Sequence, residues 1–372
     1  MKLFVQVPCL NEEKTLPLVL ESIPKEIPGI DSIEILIIDD GSTDATVEVA
    51  KSYGVKHFVR HARNQGLARS FRDGVEYALA NGADIVVNTD GDNQYPQEAI
   101  PELVAPIVAG RADIVIADRQ TSKIAHFSRF KKLMQNVGSR VVNRAAGTKL
   151  PDAASGFRAY SKGALYRLNV VTQFSYCMET IIQAGNKRLR IDSVPITTNP
   201  KTRESRLFSN IFQHMFKSGT AIVRSYLMFK PHVPLGWTAA ITGILGAIPF
   251  IRFLIFYFMG QGAGHIQSLI FGSAMIVASI ISITILIIAD LLKTNRVLLE
   301  QQLEGIKALR FGPPRPLAAA ASTDQAPNAL EASEADHPGA LNTPEILENP
   351  DHPHDPDYPH EPAAAANGGA AR

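Results

Sequence analysis

The stretch Asp84–Pro96, which reads D-I-V-V-N-T-D-G-D-N-Q-Y-P, carries the residues best suited to metal-assisted chemistry. Its apolar, β-branched run predicts a short buried strand, and Asp90, Asp92 and Gln94 follow on a turn around a glycine. Oxygen ligands at this spacing can converge on Mg²⁺ or Mn²⁺, held jointly with substrate phosphates. A D-x-D motif alone is more often a solvated acidic turn, so the rest of the chain must supply matching groups.

Apolar runs alternate with amphipathic stretches through the first third of the chain, which predicts a mostly parallel sheet covered on both faces by helices. The predicted strands are Leu3–Val7, Ile33–Ile38, Lys56–Val59, Ile85–Val87 and Ile114–Ala117, and the predicted helices are Lys14–Ile23, Asp44–Ser52, Leu67–Ala80 and Gln97–Val108. Charged residues follow the strand ends, namely Glu12, Asp39, Asp40, Asp90, Asp92, Asp118 and Arg119. Because loops at the carboxyl ends of such strands carry the chemistry of α/β proteins, these residues are predicted to form one site.

Further along, the pattern predicts a basic helix, a turn leading into a strand, a second helix and a last strand. These elements are Phe127–Ala146, Pro151–Ser161, Ser175–Ala184 with Glu179, and Arg190–Ile196. No G-x-G-x-x-G follows the first strand and no G-x-x-x-x-G-K-[ST] is present, which disfavours a dehydrogenase and a P-loop enzyme.

The formal net charge of +1 combines an acidic segment from Pro313 onward with a basic remainder, which favours phosphates or a membrane surface as partners. No nucleic-acid partner is expected. The two cysteines, Cys9 and Cys177, are too few for a disulfide scaffold or a zinc site and fit a reducing, cytosolic compartment. The first residues lack the apolar region and cleavage site of a signal peptide.

Two apolar segments, Leu235–Met259 and Ile266–Ala289, are long enough to cross a bilayer, which needs about 20 residues. Lys and Arg are absent between them and present on both outer flanks, so a hairpin with both ends in the cytoplasm is predicted. Leu207–Phe229 has the apolar spacing of an interfacial helix on anionic lipid. Arg252, inside the first apolar segment, is expected to snorkel or to contact a lipid phosphate or a partner.

These patterns divide the chain into five parts. The parts are a cytosolic catalytic domain (1–200), interfacial helices (201–232), two membrane helices (233–290), a cytoplasmic helix (291–312) and a disordered acidic tail (313–372). In the first part, the carboxylates predict a site for a nucleoside diphosphate. Asp39 or Asp40 is expected to bind the base or ribose, and Asp92, with Asp90 or Gln94, a metal that bridges the two phosphates.

Five motifs occur in a characteristic order: V-P-C-L-N-E-E (Val7–Glu13), D-D-G-S-T-D (Asp39–Asp44), N-Q-G (Asn64–Gly66), D-G-D-N-Q (Asp90–Gln94) and S-G-F-R (Ser155–Arg158). Over about Met1–Arg296 the chain resembles the family 2 glycosyltransferases with the GT-A fold, most closely the dolichyl-phosphate mannose synthase and polyprenyl-phosphate glycosyltransferase branch. The resemblance implies inverting transfer of a sugar from a nucleotide diphosphate sugar to a polyprenyl phosphate. It also implies Mg²⁺ or Mn²⁺ as cofactor and a place at the cell (inner) membrane.

The resemblance also assigns residues. Nucleotide-sugar contacts are implied for Pro8, Asn11, Glu12, Asp39, Asp40 and Asp90, and a metal site for Asp90, Asp92 and Gln94. Acceptor-phosphate contacts are implied for Arg119, Lys131, Ser139, Arg158, Arg203 and Arg206, and the catalytic residues are Asp92, Arg119 and Arg206. Gln135 stands where the branch often has an arginine, so Lys131 or Lys132 is the expected substitute. T-R-E-S-R (Thr202–Arg206) replaces the commoner R-x-G-x-S-K, so Arg203 and Arg206 both stay candidates for one contact.

The chemistry of the acceptor leaves alternatives open. A phosphate monoester, with a second pKa of about 6, is mostly ionised near neutral pH and needs no general base. A sugar hydroxyl would need a base, for which Glu179 or Asp152 is the candidate. A processive polysaccharide synthase would carry Q-x-x-R-W, but no arginine precedes Trp237, the only tryptophan. A non-catalytic membrane scaffold is the remaining alternative. Separately, the predicted membrane hairpin leaves surface available for association into a homo-oligomer.

Overall fold

The computed structural model describes residues 1–121, 129–171, 176–200, 219–220, 223–224 and 226–314, with side chains except at 129–136 and 262–263. Its centre is a seven-stranded sheet in the order β3-β2-β1-β4-β6-β5-β7. The strands are β1 (Lys2–Cys9), β2 (Ser32–Asp39), β3 (His57–Arg60), β4 (Ile85–Asn88), β5 (Ile114–Asp118), β6 (Arg158–Ser161) and β7 (Ile191–Pro195). Only β6 runs antiparallel to its neighbours, so the predicted mostly parallel sheet is confirmed.

Helices cover both faces of this sheet. The helices are α1 (Leu16–Ser22), α2 (Thr46–Ser52), α3 (Leu67–Ala80), α4 (Ile100–Val108), α5 (Arg129–Ala146), α6 (Lys162–Arg167), α7 (Tyr176–Asn186), α8 (His232–Phe258) and α9 (Ile266–Phe311), with 3₁₀ turns at Gln97–Ala99 and Gly262–His265. The five strands and the first three helices predicted from the sequence end within two residues of those observed. The fourth predicted helix begins as a 3₁₀ turn and continues as α4.

The sheet separates two apolar cores because successive strand residues point to opposite faces. Phe4 and Val86 lie in one core, while Val5 and Val87, the next residue on each strand, lie in the other. All four side chains are fully buried. A strand buried on both faces requires an uninterrupted apolar run, which explains why these strands are readable from the sequence.

The two C-terminal helices are long and apolar enough to cross a membrane. They pack closely at glycines: a Cβ on Gly246 would lie 2.8 Å from the backbone nitrogen of Ile276, and one on Gly272 would lie 2.9 Å from the Gly246 carbonyl oxygen. Ser279 Oγ also donates to the Ala239 carbonyl at 2.8 Å. Small residues that let two backbones approach in this way are typical of membrane helix pairs.

One helix replaces the two segments expected after residue 265, because α9 continues without a break from the second apolar stretch to Phe311. Its last turns pack on the catalytic domain. Lys307 Nζ donates to the carbonyl oxygens of Leu165, Tyr166 and Leu168 at 3.1 Å and to Asn169 Oδ1 at 2.9 Å. The tail from residue 315 and most of the predicted interfacial stretch, Leu207–Phe229, lie outside the described residues.

Lys307→Met should loosen the end of α9 from the catalytic domain. The substitution keeps the apolar stem but leaves three carbonyl oxygens and one amide oxygen without their charged donor, which costs about 1.5–3 kcal/mol. We expect amide hydrogen exchange in residues 300–311 to become at least about tenfold faster. Leu309→Ala, at a side chain that is 89% exposed, is the control on the same turn. Unchanged exchange in the lysine variant would mean that the contact contributes nothing to docking.

Candidate active site

The turn that follows β4 is held against the end of β1. Thr15 Oγ1 lies 2.8 Å from the Gly91 carbonyl oxygen and 2.8 Å from Glu12 Oε2. Gly91 packs tightly against the first strand, because a Cβ there would lie 3.0 Å from Cys9 Sγ. The turn that carries Asp90 and Asp92 is therefore held beside the end of the first strand, whereas a solvated turn would project away from the sheet.

Inside this turn, Gln94 orients Asp92. The Gln94 backbone nitrogen donates to Asp92 Oδ1 at 3.1 Å, and Gln94 Nε2 donates to Asp92 Oδ2 at 2.7 Å. Asn93 between them adopts a left-handed backbone conformation, with φ of 57°. This geometry gives Gln94 a positioning role toward Asp92, while its role as a metal ligand stays a prediction.

A residue that the sequence analysis missed, Asn199, closes the other side of the turn. Its backbone nitrogen donates to the Gln94 carbonyl oxygen at 3.0 Å, and its Nδ2 donates to the Asn93 carbonyl oxygen at 3.1 Å. Asn199 follows β7 and is remote in sequence from the turn. Nothing in an N-P dipeptide indicates such a contact, so only the fold reveals it.

Asn199→Ala should weaken metal binding without unfolding the protein. The side chain acts on the backbone of the turn that carries Asp92, and loss of such a supporting hydrogen bond typically costs 10- to 100-fold in metal affinity. We expect about tenfold weaker Mn²⁺ binding in the presence of a nucleoside diphosphate, measured by electron paramagnetic resonance. Asn81→Ala, which removes a comparable bond from Nδ2 to the Tyr77 carbonyl oxygen, is the matched control. Equal affinity in both variants would contradict a role for Asn199.

The loops after β1 and β2 are joined by hydrogen bonds. Asn11, with φ of 56°, accepts at Oδ1 from the Thr43 backbone nitrogen at 2.7 Å, and its own nitrogen donates to Ser42 Oγ at 3.0 Å. Asp39 is almost completely buried and accepts from the Ser42 nitrogen at 2.8 Å. The structure therefore brings Asn11 and Asp39 together at the carboxyl edge of the sheet, as the sequence predicts. Pro8 lies within β1, and Glu12 lies three residues beyond the end of that strand.

Asp40 points away from this group toward the N-Q-G segment. Its carboxylate accepts from the backbone nitrogens of Gln65 and Gly66 at 2.8 and 2.9 Å, and it lies 2.7 Å from His61 Nδ1. Gly41 beside it has φ of 84°, and a Cβ there would lie 2.9 Å from the backbone of Arg63. Asp40 thus holds the loop before α3 in place. Of the two neighbouring aspartates predicted to bind the nucleotide, the geometry favours Asp39.

Across the site, Arg119 at the end of β5 forms a bidentate ion pair with Asp152. Arg119 Nε lies 2.6 Å from Asp152 Oδ2, and its Nη2 lies 3.0 Å from Oδ1. Burial by itself raises the pKa of the Asp152 carboxyl, but the hydrogen bonds and charge of Arg119 outweigh it and leave that pKa below its usual value. The pair keeps the guanidinium fixed and charged.

Arg158 has a structural role in place of the predicted contact with the acceptor phosphate. Its side chain is fully buried, and its guanidinium donates to the carbonyl oxygens of Ala153, Ser155 and Cys177 at 2.7–3.0 Å and to Thr180 Oγ1 at 3.0 Å. All of these groups belong to the turn before β6 and to α7. Arg158 therefore locks that turn through a fully buried side chain.

The remaining predicted acceptor contacts are placed as follows. Ser139 is buried on α5, and its Oγ accepts from the Ala153 backbone nitrogen at 3.4 Å, so it supports the same turn. Lys131 lies on α5, but its side chain, like those of Lys132 and Gln135, is outside what the structure describes. Arg203 and Arg206 both lie outside the described residues.

The donor set suits a hard cation that is shared with a substrate. Asp90 and Asp92 offer carboxylate oxygens from one turn, and the part of the chain that the structure describes contains no cluster of three or more His, Cys, Asp or Glu arranged for a metal. Mg²⁺ typically binds through one or two protein carboxylates together with substrate phosphates. The two aspartates therefore fit Mg²⁺ or Mn²⁺ bound with a diphosphate, and they do not fit an all-protein cage.

Comparison with known proteins gives matches over the same region. The model of the family described as "Glycosyl transferase family 2" matches residues 4–168. An uncharacterized protein of Methanocaldococcus jannaschii is 30% identical over 53% of this chain and 81% of its own length. The UDP-N-acetylglucosamine–dolichyl-phosphate N-acetylglucosaminyltransferase of Methanococcus voltae is 28% identical over 53% of this chain and 85% of its own length. The undecaprenyl-phosphate mannosyltransferase of Micrococcus luteus is 28% identical over 53% of this chain and 83% of its own length.

Proposed function

The chain belongs to glycosyl transferase family 2 and is a glycosyltransferase, and from this premise we propose that it moves a sugar from a nucleotide diphosphate sugar to a polyprenyl phosphate. Transfer would invert the anomeric carbon and take place at the cytoplasmic face of the membrane. The relatives named above support this acceptor class, because one carries dolichyl phosphate in its name and another undecaprenyl phosphate.

One observation carries the proposal: a turn bearing two carboxylates lies across the sheet edge from an ion-paired arginine. The turn follows β4, Arg119 directly follows β5, and only β6 lies between these two strands. Neighbouring strands are about 4.8 Å apart, so the ends of β4 and β5 are about 10 Å apart. That distance leaves room for a diphosphate and a sugar on one side and an acceptor phosphate on the other.

Each residue then has a defined task. Asn11 and Asp39 would hold the nucleoside, while Asp90 and Asp92 would bind Mg²⁺ or Mn²⁺ at the diphosphate. When bound, the metal supplies a positive charge that stabilises the leaving diphosphate. Arg119 would orient the acceptor phosphate through the N–H groups that Asp152 does not occupy, since a guanidinium matches phosphate geometry.

The state of the candidate bases favours a phosphate acceptor over a sugar hydroxyl. Asp152 is paired with Arg119 and has a lowered pKa, so it is a poor proton acceptor near neutral pH. Glu179 is buried and accepts hydrogen bonds from the Val171 backbone nitrogen at 3.2 Å and from Gln183 Nε2 at 3.2 Å. A phosphate monoester is already ionised at this pH and needs neither residue as a base.

The course of the last helix supports a membrane hairpin. After the second apolar stretch, α9 returns to the catalytic domain, where Lys162 Nζ donates to the Phe311 carbonyl oxygen at 2.8 Å and Tyr166 Oη donates to that of Gly312 at 2.6 Å. If the apolar parts of α8 and α9 each cross the bilayer once, the catalytic domain and the end of α9 lie on one side. The acceptor would then meet the domain at that membrane surface.

The test is turnover of labelled nucleotide sugars by purified protein with a short-chain polyprenyl phosphate, with Mg²⁺ or Mn²⁺ and with chelator. We expect a chloroform-soluble product that mild acid releases, whose anomeric configuration is opposite to that of the donor, and no product with chelator. A water-soluble glycan or a glycolipid stable to mild acid would favour a hydroxyl acceptor instead. Absence of transfer from UDP-glucose, UDP-N-acetylglucosamine and GDP-mannose alike would favour a non-catalytic scaffold.

A further inference from the structure

A groove of about 1020 Å³ lies between the residues that precede α8 and the middle of α9. Its walls are mostly apolar, and the charged residues that line it in the described part of the chain are all basic. The apolar lining includes Val223, Leu227 and Leu292, and the basic lining residues are Arg224, Lys293 and Arg296. A cleft of this size is large enough for a headgroup and the first carbons of two acyl chains.

The groove lies where the membrane surface is expected. Pro231, on its rim, directly precedes the apolar helix α8, and Ala289, also on its rim, ends the predicted second span. The catalytic domain contacts α9 just beyond, at Glu300 and Lys307. The groove therefore opens at the boundary between the hydrocarbon region and the cytoplasmic side.

The positive charge of the groove is only partly compensated. Arg296 Nη2 lies 2.7 Å from Glu300 Oε1, and its guanidinium lies 4.3 Å from the centre of the Phe229 ring. Arg224 and Lys293 have no ion pair within 4 Å among the residues whose positions are described. Basic side chains beside apolar walls match an anionic amphiphile, since lysine and arginine near a membrane surface attract anionic lipid.

The groove is separate from the site of transfer. At the start of α7, Tyr176 Oη donates to the Gly156 carbonyl oxygen at 3.1 Å, and a Cβ on Gly156 would lie 3.5 Å from Asp90 Oδ2. Beyond the other end of α7, Lys187 lies 2.8 Å from Glu300, the partner of Arg296. The 11 residues of α7 span about 16 Å, so the groove is not the place where an acceptor phosphate meets the acidic turn.

We propose that this groove binds an anionic phospholipid of the cytoplasmic leaflet, with its phosphate between Arg224 and Lys293 and its upper acyl chains against Val223, Leu227 and Leu292. The bound lipid bridges the segment before α8 and α9 and orients the catalytic domain on the membrane. This inference rests on the membrane placement in the proposed function but is independent of which acceptor is used.

The chain contains its own reporter for this site. Trp237, the only tryptophan, is 67% exposed on α8, six residues or about 9 Å along the helix from Pro231. We would reconstitute the full chain in phosphatidylcholine vesicles that contain a small fraction of a lipid with brominated acyl chains. This brominated lipid is phosphatidylglycerol in one series and phosphatidylcholine in the other. Bromine quenches tryptophan fluorescence only at short range. If the groove binds the anionic lipid selectively, brominated phosphatidylglycerol should quench Trp237 at a lower mole fraction than brominated phosphatidylcholine does.

We expect at least a fivefold preference for the anionic lipid, and its loss in the double variant Arg224→Gln/Lys293→Gln. The charge-preserving variant Arg224→Lys/Lys293→Arg should keep the preference. Lys25→Gln/Lys51→Gln, which removes two exposed cations from the catalytic domain, should keep it as well. Circular dichroism would be used to check that all variants are folded. No donor or acceptor is present, so the outcome does not depend on sugar transfer.

Three results would overturn the inference. The first is equal quenching by both lipids in the unaltered protein, and the second is an unchanged preference in Arg224→Gln/Lys293→Gln. The third is displacement of the brominated lipid by an equimolar short-chain polyprenyl phosphate, which would assign the groove to the acceptor. Efficient disulfide formation between two copies of Leu292→Cys, together with no lipid preference, would instead show that a second copy covers the groove.

Discussion

Asp92→Asn should lower the rate of sugar transfer about a thousandfold or more, which corresponds to roughly 4 kcal/mol of transition-state stabilisation. The substitution preserves the size of the side chain and one acceptor for the hydrogen bonds from Gln94. It removes the negative charge that would hold a divalent cation at the leaving diphosphate. The loss is therefore expected in kcat and in Mn²⁺ affinity, with little change in the melting temperature.

Asp84→Asn is the matched control for this prediction. Asp84 immediately precedes β4, at the opposite end of the strand, where its Oδ2 accepts from the Lys2 backbone nitrogen at 2.9 Å. The control should transfer sugar within about threefold of the unaltered protein, because the removed charge is far from the carboxyl edge of the sheet. The assignment of Asp92 would be refuted if purified Asp92→Asn transferred sugar at the normal rate while its binding of the donor was still abolished by chelator.

Arg119→Lys should lower kcat/KM for the acceptor about a hundredfold and leave donor binding nearly unchanged. Lysine keeps the positive charge but loses the planar fork, which pairs with both Asp152 oxygens while presenting further N–H groups to a phosphate. The measurement is initial rate against acceptor concentration at saturating donor, alongside donor affinity by calorimetry. An equal loss in donor affinity would place Arg119 at the nucleotide instead.

The stability of the Arg119 variants should depend on pH in one direction. Arg119→Met leaves the buried Asp152 carboxylate without its partner, which costs about 3–5 kcal/mol. The pKa of Asp152 is lowered in the folded protein, so the stabilisation by this pair is fully present above the unfolded value of about 3.9 and is lost as pH falls below it. The difference in unfolding free energy should be largest at neutral pH and above and should shrink as pH falls, because burial raises the pKa of the unpaired Asp152 carboxyl in the variant and its protonation removes the unpaired charge. Arg119→Met/Asp152→Asn should recover most of it.

The sequence was sufficient for the sheet and for the carboxylates that end its strands. Strands such as β4 are buried on both faces, and only an uninterrupted apolar run satisfies that environment. Asp90 and Asp92 follow from the same logic, because the strand that precedes them dictates where they must lie. Local pattern and tertiary position agree at these residues, so the prediction was confirmed for the fold.

The sequence was insufficient where a polar side chain had two possible partners. Arg158 and Asp40 occur in motifs that suggested ligand contacts, yet each is buried against backbone groups of its own domain. The pairing of Asn199 with the acidic turn joins residues more than 100 positions apart and leaves no trace in local composition. The continuity of α9 was also missed, because the end of an apolar run does not break a helix whose next residues are good helix formers.

The unbroken helix α9 makes the protein sensitive to length in a way that a flexible linker would not. From Ala289 to Lys307 it is a strut of about 27 Å, and with the proposed membrane placement it would set both the height and the rotation of the domain relative to the bilayer. Insertion of two residues after Glu300 would raise the docking surface by about 3 Å and turn it by about 200°, so that Lys307 would face away from α6. Seven inserted residues, close to two full turns, would restore the facing but lift the domain by about 10 Å. If α9 crosses the membrane as proposed, the number of residues in the strut would therefore determine both the height of the domain above the membrane and its orientation toward it.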